Sequence, residues 1–244
     1  MLRPGKTRAT KKWSPAGGWK ALLLVVGVSL LVPPLEVAAV RFIDPPLTRP
    51  MLFHQIGSFF SRGAAAPLRY QWIDLRQIPP MFLKHVWISE DQRFFQHDGF
   101  DWKEVDAAMK RAERTGRAVR GVSTITMQCA RSIFLWQGRS WIRKGLEAYY
   151  TFWMEALLPK RRIFELYANV IETGRGIYGV EAAAQHHFGR SARDLTREQS
   201  AMLAAVLPNP KQWNPAKPGP TLRRRQQRIL RRERDAEFPH HLLR

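Results

Sequence analysis

The chain has 244 residues, of which 45% are hydrophobic and 11% are aromatic, with 9 Trp and 13 Phe. This is enough apolar material for the core of one sizeable domain, and it excludes a globally disordered chain. The 40 Lys and Arg residues outnumber the 20 Asp and Glu residues, so the formal net charge is +20. Such an excess indicates an anionic partner, which can be nucleic acid, an acidic membrane surface or a phosphate-bearing substrate. The single cysteine, Cys129, excludes an intrachain disulfide and any metal site that needs a cysteine pair.

The N-terminus combines a basic leader with an apolar stretch. Residues 1–20 carry six Lys and Arg residues and no acid. As a helix, residues 21–40 would measure about 30 Å, which matches the hydrocarbon core of a bilayer. We predict an uncleaved transmembrane anchor over residues 21–40, with the leader in the cytoplasm because positive charges stay on that side. A cleaved signal peptide that ends at the small residues 37–39 and a buried helix of a soluble domain are the alternatives.

The remainder of the chain predicts a mainly α-helical fold. Residues 41–73 contain repeated prolines and are predicted to form a linker that lies against the membrane. Beyond them the hydrophobic spacing is helical, and no stretch alternates convincingly as a strand would. Asp101 is predicted to cap a helix over residues 105–114, with Glu104 at its third position. The other predicted helices are 123–134, 141–157, 161–171, 179–187, 196–207 and 221–234.

A first candidate site is the stretch EDQRFFQHDGFDW, which begins at Glu90. A carboxylate beside aromatic side chains can have its pKa raised by loss of contact with water, which suits a general acid or base. On one continuous helix, Glu90, Phe94 and His97 would share a face. An exposed acidic pair beside core phenylalanines would give the same pattern, and for this stretch alone that is the commoner arrangement.

Two further stretches could bind an anion. GVSTITMQ places hydroxyl groups before a helix, where Ser123 or Thr124 would cap it and free N–H groups could accept an anion. It lacks the Gly-Lys-Ser/Thr ending and the preceding strand of a nucleotide-binding loop, and an ordinary helix cap would look the same. Arg143, Lys144 and Glu147 fit either a phosphate clamp or a surface ion pair on one helix.

The remaining polar clusters predict no catalytic centre. His186 and His187 are adjacent, so they face different sides of a helix, and no further ligand stands at a metal-binding spacing. No Gly-x-Ser-x-Gly elbow is present for Ser-His-Asp catalysis. The arginines of residues 223–234 predict a solvated helix face or a contact with anionic lipid.

The order of these stretches is more specific than any of them alone. EDQRFFQHDGFDW, GVSTITMQ, RKGLEA and KRRIFELYANVIETGRGIYGVEAAA together resemble the motif series of the peptidoglycan glycosyltransferases, lysozyme-like enzymes that polymerise lipid II. With no transpeptidase domain after it, the sequence resembles the monofunctional, membrane-anchored branch. The resemblance implies a two-lobed, lysozyme-like glycosyltransferase domain over residues 74–215, preceded by the anchor and followed by a basic C-terminal helix or tail over residues 216–244.

Carried over position by position, the resemblance implies two catalytic carboxylates. Glu90 matches the general base, and Glu147 matches the second essential glutamate, which would orient nearby cations. Arg131, Arg143 and Lys144 would neutralise a departing pyrophosphate. The other positions implied to bind substrate are Asp91, Phe95, His97, Ser123, Thr124, Gln128, Glu165 and Asn169.

The sequence departs from the usual motifs at several positions. Val122 and Met127 stand where a Gly and a Gln are usual, so the loop loses flexibility and one side-chain amide. Arg131 stands where a Lys is usual and keeps the positive charge. His187 stands where a Tyr is usual. Because both catalytic carboxylate positions are intact, the resemblance favours an active enzyme.

The implied activity is transfer of a lipid-pyrophosphate-linked growing glycan to the 4-hydroxyl of lipid II, with inversion to a β-1,4 linkage. No nucleotide or organic cofactor is expected, whereas a divalent cation (Mg²⁺ or Mn²⁺) could accompany the pyrophosphate. The expected partners are lipid II, the lipid-linked glycan, membrane lipids and other cell wall synthesis proteins, but not nucleic acid. The expected location is the bacterial inner membrane, with the catalytic domain in the periplasm. The alternatives are a lysozyme-like enzyme that cleaves peptidoglycan and a non-catalytic basic membrane adaptor.

Overall fold

A computed structural model describes residues 15–60, 66–118, 122–138 and 140–243 of the chain. Within these residues the fold is mainly helical, as predicted, with ten α-helices and one small sheet. The helices are α1 (Pro15–Phe42), α2 (Arg49–Phe60), α3 (Pro80–Glu90), α4 (Trp102–Thr115), α5 (Ile125–Phe134), α6 (Trp141–Leu157), α7 (Lys160–Val170), α8 (Val180–Phe188), α9 (Arg197–Val206) and α10 (Pro220–Asp235). The strands are β1 (Arg69–Tyr70), β2 (Glu172–Gly174) and β3 (Ile177–Tyr178).

Side chains cap the N-terminal ends of α4, α5, α6 and α9. The six helices predicted from hydrophobic spacing in the second half of the chain agree with the structure to within two residues at each end. Thr124 accepts a hydrogen bond from the Met127 backbone N–H at the start of α5, at 3.2 Å. The predicted cap of α4 is confirmed, because the Asp101 carboxylate accepts from the Glu104 N–H at 3.0 Å.

Residues 41–73, predicted as a linker, contain helix α2 and strand β1. Pro50 is the second residue of α2, where the helix needs no backbone N–H donor, so it does not interrupt the helix. Met51 is fully buried, and α2 packs against α5. The prolines of this segment therefore border regular elements, because a proline breaks a helix only in its interior.

The structure also contains a three-stranded sheet that the sequence did not predict. Strand β3 lies between β1, to which it is parallel, and β2, to which it is antiparallel. Strands of two or three residues are too short to show an alternating pattern. Gly179 follows β3 with φ of 81°, and a Cβ there would lie 2.3 Å from the Asn169 carbonyl oxygen. Only glycine allows this close approach between the sheet and α7.

One hydrophobic core joins two groups of helices. Helix α5 packs against α6 and α7, while α3, α9 and α10 pack against one another. Helix α10 belongs to this core through the buried side chains of Leu222 and Ile229, although residues 216–244 were predicted to follow the domain. His85 on α3 is buried against Glu233 on α10, with His85 Nε2 and Glu233 Oε2 3.1 Å apart. These contacts fix α10 beside the end of α3.

Helix α1 covers the segment that was predicted to cross the membrane. Glu36 of α1 contacts two other helices. Its carboxylate pairs with Arg49 of α2 and accepts a hydrogen bond from the Tyr150 hydroxyl of α6. Exposed apolar side chains of α1 include Leu23, Val28, Leu30, Leu31, Val32, Leu35 and Phe42. In the part of the chain that the structure describes, no helix has both the length and the apolar character needed to cross a bilayer. Most of the predicted basic leader, residues 1–14, lies outside that part.

Candidate active site

Two cavities are lined by many of the predicted site residues. The first, of about 480 Å³, is lined by Glu90, Asp91, Ser123 and Thr124 among others, and we call it the Glu90 cavity. The second, of about 520 Å³, is lined by Arg131 and Arg143 among others, and we call it the Arg131 cavity. Helix α5 connects the two sites, because its Gln128 side chain contacts Glu90 and Arg131 follows about one turn later.

Glu90 is the last residue of α3, and the chain changes direction immediately after it. Asp91 ends the helix, and Phe94 lies in a separate 3₁₀ turn. The prediction that Glu90, Phe94 and His97 share the face of one helix is therefore wrong. Phe94 is instead buried in the core, with its ring centroid 5.3 Å from that of Phe164.

The Glu90 carboxylate is almost buried and has three polar neighbours. Its Oε1 accepts from Arg225 Nη2 at 3.0 Å and from the Ser89 hydroxyl at 3.2 Å, and its Oε2 accepts from Gln128 Nε2 at 3.2 Å. Gln128 is itself oriented by the Tyr167 hydroxyl, which donates to Gln128 Oε1 at 3.1 Å. Burial and then the Glu90 charge raise the pKa of Tyr167 well above its ordinary value, so this hydroxyl stays a donor. The network holds Glu90 in one orientation.

Arg225 was not predicted as a site residue. It lies on α10, 135 residues from Glu90, within a run of arginines that predicted only a solvated face or a lipid contact. Arg232 lies two turns further along and also lines the Glu90 cavity. The signal in the sequence is the spacing: each arginine follows a buried residue, Leu222 or Ile229, by three positions and so lies beside the buried face of α10.

Asp91, His97 and Thr124 form a support behind the Glu90 cavity. The Asp91 carboxylate accepts from His97 Nε2 at 3.1 Å and from the Ile125 backbone N–H at 3.0 Å. The Thr124 hydroxyl donates to the Gly99 carbonyl oxygen at 2.7 Å. These bonds tie the chain after Glu90 to the start of α5.

Of the other residues predicted to bind substrate in this region, Ser123 lines the Glu90 cavity and Phe95 does not. The Phe95 ring packs against Phe94 and Phe238, with centroids 4.9 Å and 6.0 Å away. The buried Ser123 hydroxyl has no hydrogen-bond partner in the described part of the chain. Gly121, at the start of the same predicted motif, lies outside the described residues.

The side chains of Asp91, His97 and Asp101 bring one possible ligand atom each to within 4.8 Å of one another. We tested whether this cluster fits a resident metal ion. Asp101 Oδ2 lies 2.9 Å from Arg93 Nε, and the Asp91 carboxylate is engaged by His97 and a backbone N–H. A divalent cation would have to displace these partners beside a guanidinium group. The cluster therefore does not fit a resident metal.

Glu147 is buried, with an exposed fraction of 1%, and it is paired with two cations on its own helix. Arg143 Nη1 donates to Glu147 Oε2 at 2.9 Å, and Lys144 Nζ donates to Glu147 Oε1 at 2.5 Å. The predicted Lys144–Glu147 pair is confirmed, but it is a partly buried cluster rather than a surface pair. With Arg131 nearby in the Arg131 cavity, the region carries a net positive charge. Because both Glu147 oxygens hold cations already, Glu147 does not fit as a metal ligand either.

Glu165 and Asn169, both predicted to bind substrate, line neither of the two cavities. The Asn169 side chain accepts from the Ile73 N–H at 3.0 Å and donates to the Ile73 carbonyl oxygen at 2.9 Å. Glu165 Oε1 accepts from the Leu75 N–H at 2.7 Å. These contacts hold the chain at residues 73–75 against α7.

Comparison with known proteins identifies the family of the chain. Residues 58–234 match a family model described as transglycosylase. A relative from Xylella fastidiosa (strain 9a5c), named biosynthetic peptidoglycan transglycosylase, is 46% identical over 213 residues, which cover 87% of each chain. The chain belongs to the transglycosylase family. Relatives of the same name from Xanthomonas campestris pv. campestris (strain B100) and Bdellovibrio bacteriovorus are both 43% identical, over 98% and 91% of this chain and 94% and 87% of theirs.

Membership of the transglycosylase family confirms the resemblance that was drawn from the four motifs. The matched region extends beyond residues 74–215 at both ends. It includes the end of α2 and nearly all of α10, so the transglycosylase match covers Arg225 and Arg232 as well as the motif residues.

Proposed function

We propose that this transglycosylase polymerises the glycan of peptidoglycan. It transfers a lipid-pyrophosphate-linked growing glycan to the 4-hydroxyl of lipid II, with inversion to a β-1,4 linkage. The observation that carries the proposal is the arrangement along α5, where Gln128 contacts the nearly buried Glu90 carboxylate and Arg131, about one turn later, lines a cavity together with Arg143. A proton acceptor and a phosphate-binding site at this separation suit a glycosyl transfer that releases pyrophosphate.

Glu90 acts as the general base in this proposal. Lipid II occupies the Glu90 cavity, and its 4-hydroxyl gives its proton to the Glu90 carboxylate as the oxygen attacks the anomeric carbon of the donor. The new C–O bond forms on the face opposite the pyrophosphate, so the configuration inverts. Gln128 and Arg225 hold the carboxylate in place for this transfer.

Arg131, Arg143 and Lys144 receive the leaving group. The bond between the anomeric carbon and the pyrophosphate oxygen breaks, and its electron pair leaves with the pyrophosphate. The three side chains neutralise the charge that develops there. The Glu147 carboxylate holds Arg143 and Lys144 in place. Its Oε2 lies 2.9 Å from Arg143 Nη1, and its Oε1 lies 2.5 Å from Lys144 Nζ. Because the carboxylates of Asp91, Asp101 and Glu147 already have other partners, a Mg²⁺ or Mn²⁺ ion would enter with the phosphates of the substrate, and no step here depends on it.

We also propose that residues 21–40 anchor the chain in the bacterial inner membrane, with the leader in the cytoplasm and the active site in the periplasm. The exposed apolar side chains of α1 support this proposal, together with those of α2, which are Leu52, Phe53, Ile56, Phe59 and Phe60. A lipid-linked substrate also requires a site close to the bilayer. A reporter that is active only in the cytoplasm, fused after Arg244, should give no signal, and a strong signal would contradict this topology. Other cell wall synthesis proteins remain an expected class of partner.

Labelled lipid II and the detergent-solubilised full chain test the proposed reaction directly. We expect glycan polymer on a gel, and its digestion by a muramidase would show the β-1,4 linkage. A parallel sample contains purified glycan in place of lipid II. Shortening of that glycan without polymer formation from lipid II would favour a hydrolase, and lipid II binding without turnover would favour an adaptor.

A further inference from the structure

A third cavity, of about 410 Å³, lies outside the two that the proposed reaction uses. Its wall is formed by residues 66–69, the β2–β3 hairpin, the end of α8 and the turn after α9. We call it the basic cavity, and its basic and aromatic lining residues are Arg69, Arg175, His186, His187, Lys211 and Trp213. Residues 210–212 line both the basic cavity and the Arg131 cavity, so the two are neighbours across one turn.

Two guanidinium groups in this wall are available to an anion. Arg175 donates through Nε to the Lys211 carbonyl oxygen at 3.0 Å, and neither Arg69 nor Arg175 forms an ion pair within the described part of the chain. The Lys211 ammonium is engaged elsewhere, because it contacts Gln137 and lies 3.7 Å from Glu172. None of the lining residues is Asp or Glu. The cavity therefore presents a positive, concave surface without an internal counter-charge.

The rest of the wall is neutral and partly apolar. Ile177 and the half-buried Trp213 provide apolar contact surface. Burial lowers the pKa of His187 to about 4, so its ring is neutral at physiological pH. His187 Nε2 is buried without a hydrogen-bond partner among the described residues, and it points towards Gly174 in the same wall. This pairing of cations with an apolar surface differs from a site for inorganic phosphate, which needs only charge and hydrogen-bond donors.

We propose that the basic cavity binds the carboxylates of the short acidic peptide that the glycan substrate carries. Two guanidinium groups suit carboxylates in a paired geometry, while Trp213 and Ile177 contact the carbon chain between the acidic groups. The inference rests on the proposed function, because the peptide is part of the proposed substrate and the basic cavity adjoins the Arg131 cavity, where that function places the pyrophosphate of the donor. The contact would hold the donor strand in register during transfer.

The test compares two substrates and two variants of the full chain. The substrates are lipid II with free peptide carboxylates and lipid II with those carboxylates amidated. The double variant Arg69→Gln/Arg175→Gln removes both guanidinium groups, and Arg114→Gln removes an exposed arginine on α4 as a matched control. We expect the double variant to raise the apparent KM for the free acid by about tenfold with little change in kcat. It should leave KM for the amidated substrate unchanged, and Arg114→Gln should match the wild type with both.

Calorimetric titration with a soluble disaccharide-peptide tests binding without turnover. Binding by the wild type and its loss in the double variant support the proposal, provided that circular dichroism shows the same helix content. Equal wild-type KM values for the two substrates would overturn it. Titration with inorganic phosphate tests whether the cavity binds phosphate instead of peptide carboxylates. The proposal would also be overturned if the wild type bound phosphate but no peptide, and the double variant lost the phosphate binding. Failure to polymerise either substrate would contradict the proposed function, whereas the calorimetry would still decide whether the cavity binds the peptide.

Discussion

The two cavities of the proposed active site hold their charges in different ways. In the Arg131 cavity region, Glu147 is paired with Arg143 and Lys144, which lie four and three residues away on the same helix. In the Glu90 cavity, the carboxylate is held by Gln128 and Arg225, which are 38 and 135 residues away in the chain. The first arrangement exists wherever α6 forms. The second exists only when α3, α5 and α10 are packed together, so it is the more sensitive to changes elsewhere in the fold.

The largest expected effect comes from Glu90, whose carboxylate is held by residues that are distant in the chain. The substitution Glu90→Gln keeps the size of the side chain but removes its ability to accept a proton, so turnover should fall by about 10²–10⁴-fold. Lipid II binding should stay close to that of the wild type. The measurements are polymerisation of labelled lipid II and a separate binding assay, with Glu113→Gln, an exposed change on α4, as the control. Substantial polymer from Glu90→Gln would rule out the base assignment, and lost helicity would show a structural role.

Substitutions of Lys144 and Arg143, the two partners of Glu147 on α6, should separate effects on activity from effects on stability. Lys144 is 45% exposed in its side chain, so Lys144→Ala should lower turnover by about 10–100-fold with little change in melting temperature. Arg143→Ala should lower both, because Arg143 is the buried partner of Glu147 and its loss leaves the buried carboxylate with only the half-exposed Lys144. Arg131→Lys keeps the charge and should lose little activity. Wild-type turnover in Lys144→Ala would contradict the pyrophosphate clamp.

Arg225 tests whether the long-range contact matters for the reaction. It is a positioning residue, because its contact with Glu90 orients the carboxylate. Arg225→Gln should lower kcat by about 3–10-fold, because one charge-assisted contact is lost. Arg225→Lys should recover part of this loss, and Arg228→Gln, on the exposed side of α10, should have no effect. A decrease in melting temperature with an unchanged kcat would show that the contact only stabilises the fold.

The smallest expected effect on the reaction comes from His187, because a change there alters the pH dependence of stability. Its pKa is lowered to about 4 by burial, whereas in the unfolded chain it is about 6.5. As the pH falls from 6.5 towards 4, the unfolded chain binds a proton that the folded chain does not, so the free energy of unfolding decreases. Thermal unfolding at pH 7.5 and pH 5 should show a loss of melting temperature about 4–8 °C smaller in His187→Tyr than in the wild type. The same loss in both proteins would contradict this assignment.

Much of the secondary structure and of the local charge pattern could be predicted from the sequence. Hydrophobic spacing at three and four residues predicted the six helices of the second half, because this periodicity is written within each helix. The same short spacing predicted the pair between Lys144 and Glu147. The sheet was not predictable in this way, because its strands are shorter than the period that would reveal them. Helix α2 was missed because Pro50 was weighed as a helix breaker, although it stands in the first turn.

By itself, the sequence determined the family, through the order of its four motifs, and the position of both carboxylates along the chain. Only the tertiary structure decided what surrounds Glu90. Helix α3 ends at this residue, the chain folds Asp91 and His97 behind it, and α10 brings Arg225 to the carboxylate. The physical reason is that Arg225, 135 residues away, reaches Glu90 only through the packing of whole helices. The spacing of residues within a single helix does not predict such a contact.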